Sequence, residues 1–293
     1  MAAEREWAGT TYGGQRMHHW LITILKYIDN RLLYAFAFLF VVPVCLILNP
    51  SRGIIYRYFR EHFNDHAFRA AWHTYVNHCM FAQAVIDKFS MYAGKKFKVD
   101  IVGYDNFLQL GSRPEGFVQL SSHVGNYEIA GYTLVTERKT LHALVFAGEK
   151  ETVMDNRNKM FSHTNIKMIP LRQDMGHLFE INQALADGNI VSIPADRIWG
   201  SEKAIAADFL GKTAHFPQGP FSVACMRALD VLTVNVMKTG WNRYKIYVTP
   251  LPYDKQAPRK QQIEELSNCY VRELERIVKR YPTQWYNYFE FWT

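Results

Sequence analysis

Residues 116–135, GFVQLSSHVGNYEIAGYTLV, join a short apolar strand to a helix through a polar turn. The turn carries His123 and Glu128, which stand five positions apart. On one continuous helix that spacing would separate the two side chains by roughly 140°, at about 100° per residue. His123 must therefore precede the helix, and Gly125 lets the backbone fold so that Glu128 reaches the imidazole ring. A histidine held by a nearby carboxylate is the smallest device that removes a proton from a hydroxyl group.

The His-x4-Glu spacing would be weak support on its own. The chain contains 11 histidines and 27 acidic residues, enough for such a pair to arise by chance. The alternative interpretation is a surface His–Glu pair at the beginning of a helix. The strand before the turn and the ordered motifs downstream favour a functional site.

The composition is that of a folded, basic protein. The 293 residues are 48% hydrophobic, which suits one large domain or two small ones around a sizeable core. The net charge of +7 favours an anionic partner: a phospholipid surface, a phosphorylated substrate, an acidic protein or a nucleic acid. No RNA-recognition signature or helix-turn-helix pattern occurs, which argues against nucleic acid. Four cysteines without a C-x-x-C pair are typical of reduced core thiols in a cytosolic compartment.

Residues 32–48 form an uncharged apolar run near the N-terminus. As a helix, its 17 residues would span roughly 26 Å, the short limit for crossing a bilayer. Arg31 and Arg52 flank the run, and Pro43 would bend it, which also suits a helix lying in one leaflet. A buried core helix is the third interpretation. We expect membrane attachment, with residues 1–96 forming a helical membrane-proximal region.

The pattern changes at residue 97, where predicted strands begin to alternate with predicted helices. This alternation predicts an α/β domain over residues 97–293, with a largely parallel central sheet flanked by helices. Before it, a helical stretch is predicted over residues 52–93. The predicted strands are 97–103, 116–121, 141–147, 166–170, 189–194, 204–209, 231–238 and 243–250. The predicted helices are 125–136, 149–162, 174–187, 219–229 and 259–280.

Two downstream motifs carry further candidate residues. Asp196 and Arg197 follow an apolar run, at the strand-end position where open α/β sheets place functional residues. The guanidinium of Arg197 can bind a phosphate or carboxylate through two parallel hydrogen bonds. The alternative is a structural ion pair between Asp196 and Arg197. In the motif FPQGPF, 216–221, Gly219 lets the backbone approach a ligand, and the following helix N-terminus suits an anion or an oxyanion. An ordinary proline-glycine turn is the alternative.

Taken in order over residues 17–293, these motifs resemble the lysophospholipid acyltransferase superfamily. The apolar run, His-x4-Glu, Pro-Ala-Asp-Arg, Phe-Leu-Gly-Lys, FPQGP and the aromatic tail carry the resemblance, and the branch of lipid A lauroyl/myristoyl acyltransferases is most similar. This resemblance implies that His123 is the catalytic base, that Glu128 orients His123, and that FPQGP lies beside the acceptor. Glycerol-phosphate acyltransferases carry an acidic residue where this chain has Gln218, which argues against a glycerol-phosphate acceptor.

The same resemblance implies acyl transfer from a thioester, carried by acyl carrier protein or coenzyme A, to a hydroxyl of a membrane lipid. The expected location is the bacterial inner membrane, with the catalytic domain on the cytoplasmic face. A thioester is a ready electrophile, so no cofactor, metal or covalent serine is expected. The residues predicted to contact substrate are Asn126, Arg157, Asp196, Arg197, Gln218 and Gly219.

Two alternatives to a lipid A-type acceptor remain open from the sequence. The first keeps acyl transfer but places the acceptor hydroxyl or amine on an aminolipid or an aryl polyene-type pigment. The second is a membrane protein that binds acyl lipids without catalysis. The intact pair of His123 and Glu128 argues against the second, because binding alone needs no base.

Overall fold

A computed structural model describes residues 23–134, 136, 138–146, 165–171, 176–198 and 203–292. These residues fall into two compact units. The first unit contains residues 23–97 together with the returning segment 281–291. The second contains the described part of residues 98–280 together with Trp292.

Three helices form the body of the first unit. Helix α1 runs over Asn30–Leu48 and includes a π-helical stretch at Ala37–Val41. The π-helical stretch lies directly before the helical turn that contains Pro43. Proline has no amide hydrogen to donate, and its ring crowds the carbonyl four positions earlier in the helix. Helix α2 spans Arg52–His62 and helix α3 spans Ala67–Tyr92. The helical stretch predicted over residues 52–93 is thus interrupted between α2 and α3.

Helix α1 presents apolar side chains to the outside. It has 19 residues and extends about 28 Å, and it is the one helix of the described residues that is long and apolar enough to cross a membrane. Arg52 donates from its guanidinium to the carbonyls of Leu46 and Ile47, which closes the C-terminal end of the helix. The apolar side chains of α1 that are more than half exposed are Leu32, Phe36, Leu39, Phe40, Val44, Ile47 and Leu48.

The returning segment is held to α3 by a buried asparagine. Asn77, fully buried, donates from Nδ2 to the carbonyls of Thr283, at 3.1 Å, and Trp285, at 2.9 Å. Tyr288 donates its hydroxyl hydrogen to Asn77 Oδ1 at 3.1 Å. The Trp285 ring packs edge-on against Tyr58 of α2. Residues near the C-terminus thus complete the core of the N-terminal helices.

The second unit is built on a seven-stranded sheet in the order β1-β9-β8-β2-β5-β3-β4. All neighbouring strands are parallel except β8 and β9, so the predicted fold class, α/β with a largely parallel central sheet, is confirmed. Strands β6 and β7 form a separate antiparallel hairpin. The strands are β1 Lys98–Val102, β2 Phe117–Ser121, β3 Leu141–Phe146, β4 Ile166–Leu171, β5 Ile190–Pro194, β6 Ala204–Phe209, β7 Lys212–Pro217, β8 Asp230–Gly240 and β9 Arg243–Pro250.

Helices cover this sheet and bury its central strands. Strand β2 is buried along its whole length, as expected for a parallel strand covered on both faces. The longest helix, α8, places Leu266, Tyr270 and Leu274 at four-residue intervals on its buried face. The helices of this unit are α4 Tyr104–Ser112, α5 Glu128–Thr133, α6 Gly176–Ala186, α7 Gln218–Met226 and α8 Arg259–Arg280.

The predicted elements agree with the structure at most positions. All eight predicted strands are present, while β7 and α4 were not predicted. Helix α5 begins at Glu128 instead of Gly125, because the backbone of the preceding turn is not helical. The helix predicted over residues 149–162 lies outside the described residues.

Candidate active site

The candidate site lies at the carboxyl ends of two neighbouring strands. Strands β2 and β5 pair in parallel, with Ser121 opposite Pro194 in the register. The residues that follow the two strands therefore emerge at the same edge of the sheet. The pairing continues past the strand ends, where the Ala195 amide donates to the Ser121 carbonyl at 3.0 Å. This register places His123 beside Asp196.

Both oxygens of the Asp196 carboxylate accept hydrogen bonds from His123. The imidazole Nδ1 lies 2.8 Å from Oδ1, and the backbone amide of His123 donates to Oδ2, also at 2.8 Å. The Asp196 side chain is 1% exposed, whereas the His123 side chain is 29% exposed. One end of the ring is therefore fixed on a buried anion, and the ring remains partly open to solvent.

The charge of Asp196 follows from its surroundings. Burial raises the pKa of this carboxyl, but the charge and hydrogen bonds of His123, together with Arg197, outweigh burial and leave the pKa below its usual value. An ionised carboxylate only accepts hydrogen bonds, so the proton of a neutral His123 ring is on Nδ1. Within the described part of the chain, Nε2 makes no hydrogen bond. In this tautomer the lone pair of the ring is on Nε2.

The turn that carries His123 rests on strand β8. Gly125 has φ +64° and forms a bridge with Val236, and the Asn126 amide donates to the Val236 carbonyl at 2.9 Å. A Cβ at Gly125 would lie 1.9 Å from that carbonyl oxygen, so only glycine fits the turn. Ser122 donates its hydroxyl hydrogen to Asn235 Oδ1 at 3.0 Å, which provides a second attachment to β8.

Glu128 and Asn126 occupy buried positions close to His123 in the chain. Glu128 is the first residue of α5 and is 6% exposed, as is Asn126 in the turn. The acceptor at Nδ1 of His123 is Asp196. The predicted roles of Glu128, as the orienting carboxylate, and of Asn126, as a substrate contact, stay predictions.

The other predicted substrate contacts are distributed around the strand ends. Arg197 is half-buried and follows Asp196, whose carboxyl pKa its charge helps to lower. Gln218 and Gly219 open helix α7, where the Gln218 amide donates to the Lys203 carbonyl at 3.1 Å. A Cβ at Gly219 would have no atom within 4 Å, so its backbone is accessible. Arg157 lies outside the described residues.

The sequence predicted that Asp196 and Arg197 lie next to the turn of His123, but not that Asp196 contacts the ring. Asp196 was assigned to substrate binding, while the ring of His123 was paired with the acid in its own motif. The residue types gave no further signal, because the contact depends on β2 and β5 being neighbours in the sheet. Among the described residues, no group of three or more His, Cys, Asp or Glu side chains is arranged to hold a metal ion.

Comparison with known proteins places this chain in a family. The family model for bacterial lipid A biosynthesis acyltransferases matches residues 72–292, a range that includes His123, Asp196 and the FPQGP motif. Comparison with curated protein sequences finds no relative. Among solved structures, the chain is similar to the 1-acyl-sn-glycerophosphate (LPA) acyltransferase from Thermotoga maritima. That similarity has 14% sequence identity and a TM-score of 0.41, over 94% of this chain and 100% of the other. On the strength of the family match, the chain belongs to the bacterial lipid A biosynthesis acyltransferases and is an acyltransferase of lipid biosynthesis.

Proposed function

We propose that the enzyme transfers a fatty acyl chain from a thioester donor to a hydroxyl group of a lipid A precursor-like acceptor. The observation that carries this proposal is the partly exposed His123 ring, whose Nδ1 is held by a buried carboxylate. A ring held in this way offers Nε2 as a general base. General base catalysis of this kind contributes about 10²–10⁴-fold to the rate.

In this mechanism, Nε2 of His123 removes the proton of the acceptor hydroxyl as its oxygen attacks the thioester carbonyl. A tetrahedral oxyanion forms, and backbone amides that point at it would lower its energy. Collapse of the oxyanion forms the new ester and breaks the carbon–sulfur bond. The departing thiolate takes the proton from the imidazolium, so the enzyme returns to its starting state. The thioester is reactive enough that the step needs no covalent intermediate.

The donor that best suits this chain is acyl carrier protein, with coenzyme A as the other thioester carrier. Both carriers present phosphate groups and negative charge, and the chain has a net charge of +7. Arg197, beside the His123–Asp196 pair, is the guanidinium that we assign to such a phosphate. Asn126, Arg157, Gln218 and Gly219 are proposed as further substrate contacts, and Glu128 as a second carboxylate of the site.

Helix α1 is proposed to attach the enzyme to the cytoplasmic face of the bacterial inner membrane. Its exposed side chains are apolar over a length that matches the hydrocarbon core of a bilayer. A lipid acceptor remains in the membrane, whereas a carrier-bound acyl chain arrives from the cytosol. Attachment on this face would bring both substrates to one enzyme.

The decisive experiment compares His123→Ala with the wild type in transfer from acyl carrier protein to a lipid A precursor. We expect transfer to fall by at least ~10²-fold while the folded structure is retained, because the base is lost and the core is not changed. His62→Ala, on helix α2 of the other unit, is the matched control and should retain activity. A folded His123→Ala protein with full activity would contradict the mechanism.

The acceptor is identified by lipid mass spectrometry of a strain that lacks the enzyme. A lipid A species lighter by one acyl chain is the expected result. Loss of an acyl chain from an aminolipid or a pigment instead would keep the acyltransferase mechanism and replace the acceptor. Unchanged lipids and pigments would contradict the proposed function.

A further inference from the structure

The contact between Asp196 and His123 is more restrictive than an ordinary ion pair. One carboxylate binds two groups of the same residue, the ring Nδ1 and the backbone amide, each at 2.8 Å. Rotation of the ring would break the first contact, and movement of the turn would break the second. The carboxylate therefore fixes the position of the backbone and the direction of the ring together.

His123 and Asp196 are both attached to well-packed elements of the fold. The Ala195 amide and the Tyr270 hydroxyl both donate to the carbonyl of Ser121, at 3.0 Å each. Tyr270 is 1% exposed and packs between Phe216 and Phe221, so helix α8 holds the end of strand β2 in place. The separation between His123 and Asp196 is therefore set by the pairing of β2 with β5.

We propose that Asp196 is the positioning residue of the general base, which fixes His123 in the Nδ1-protonated tautomer with Nε2 directed away from the carboxylate. This inference rests on the proposed function, in which His123 is that base. Asp196 was assigned to the substrate by its sequence motif, and Glu128 was assigned to the ring. The geometry assigns the ring to Asp196.

Asp196→Asn is the informative substitution because it keeps the size of the side chain. An amide presents one acceptor and one donor, whereas both groups of His123 that face residue 196 are donors in the base-competent tautomer. Either the turn loses its contact, or the ring takes the Nε2-protonated tautomer and cannot accept a proton. We expect kcat to fall by at least ~10²-fold, with the KM of each substrate changed by less than about 3-fold.

The pH profile provides a readout that a purely structural role would not change. An adjacent anion stabilises a positively charged ring, and Asp196→Asn removes this stabilisation. The acid limb of kcat/KM should therefore move to lower pH in Asp196→Asn. Among the described residues, the charged and titratable groups that accompany the pair are Arg197 beside the carboxylate, Tyr270 of α8, Tyr127 against the ring and Glu128, which begins α5. Glu128→Gln is the comparison variant: if Asp196 holds the ring, its effect on the acid limb should be smaller than that of Asp196→Asn.

The outcomes separate this inference from the proposed function. If His123→Ala retains full activity, the general base itself is wrong. If His123→Ala is inactive while Asp196→Asn keeps its kcat and the acid limb of its pH profile, His123 remains the general base. The positioning role of Asp196 is then overturned. A shift of the acid limb in Glu128→Gln alone would transfer the role to Glu128.

A measurement on the wild-type protein keeps the test independent of how well the variants fold. The tautomer of His123 is read from the nitrogen chemical shifts of the ring at a pH where the ring is neutral. The signals are assigned by their loss in His123→Gln. Protonation at Nδ1 is expected, and protonation at Nε2 would overturn the proposal.

Discussion

Gly125 is the residue on which the geometry of the turn that carries His123 depends. Its φ of +64° lies in the left-handed region, and the carbonyl of Val236 occupies the place of a side chain. We expect Gly125→Ala to reduce the free energy of unfolding by about 2–4 kcal/mol, since strain and the contact with β8 add together. Activity should fall as well, because the turn carries His123.

The chain offers a matched control for this substitution. Gly211, in the turn between β6 and β7, has φ +79°, yet a Cβ there would have no atom within 4 Å. Gly211→Ala should therefore cost only the backbone strain, about 1–2 kcal/mol, and leave activity unchanged. Chemical denaturation and steady-state kinetics measure both variants. Equal effects of the two substitutions would contradict the role of Val236.

Arg197 is the second residue whose role can be measured directly. If it holds a phosphate of the donor or of the acceptor, the lost charge-assisted pair is worth about 1.5–3 kcal/mol. Arg197→Ala should then raise the KM of one substrate roughly 10- to 100-fold, with a smaller change in kcat. Arg197→Lys should restore only part of the affinity, because one ammonium cannot reproduce the guanidinium fork. Unchanged KM values for both substrates would reduce Arg197 to a structural partner of Asp196.

At the scale of elements, the exposed apolar surface of helix α1 predicts that the protein is found in the membrane fraction. Leu39 and Phe40 are each 60% exposed on this helix. Replacing both with aspartate should move the protein from the membrane fraction to the soluble fraction, because each charge costs about 2.5–3.5 kcal/mol in the bilayer core. Cell fractionation at moderate salt measures the change.

Helix α6 provides the control for α1. Leu178 and Phe179 are also neighbouring, solvent-exposed apolar residues on a helix, and they belong to the other unit. Aspartate at these two positions should leave the enzyme in the membrane fraction. A wild-type protein recovered entirely as soluble protein would contradict membrane attachment.

The strands show which parts of the fold could be predicted from sequence patterns and which could not. The buried strands were predictable because runs such as Ile190–Pro194 are apolar and short, with turn residues at their ends. Strand β7 was missed because it follows a two-residue turn in which Leu210 and Gly211 both have positive φ, and its outer residues are polar. The partner of His123 was missed for a different reason: Asp196 is 73 positions away, and only the order of strands brings it close.

At the scale of the whole molecule, a segment late in the chain packs with the N-terminal helices. The returning segment 281–291 belongs to the first unit, although the second unit is built from the residues between. Asn77 makes the polar part of this connection through its contacts with Thr283, Trp285 and Tyr288. A segment that packs on helices far away in sequence gives no periodic signal of its destination.

Asn77→Ala tests this connection. The substitution removes three hydrogen bonds, to two carbonyls and from one hydroxyl, so we expect a loss of about 3 kcal/mol in the free energy of unfolding. The returning segment should also become sensitive to limited proteolysis. Asn182→Ala, at an exposed site on α6, is the control and should change neither measurement. Wild-type resistance to protease in Asn77→Ala would contradict the anchoring role.

The returning segment also sets an order of events during synthesis. The ribosome makes the chain from the N-terminus, so α1, α2 and α3 leave the exit tunnel long before residues 281–291 exist. Until then, the nascent chain carries an incomplete helical core, with the amide of Asn77 without its final acceptors and the site of Trp285 unfilled. The second unit has all its strands before that core can close. The core of the N-terminal helices can therefore close only after residues 281–291 have been made, and a chain that stops earlier lacks the segment that completes it.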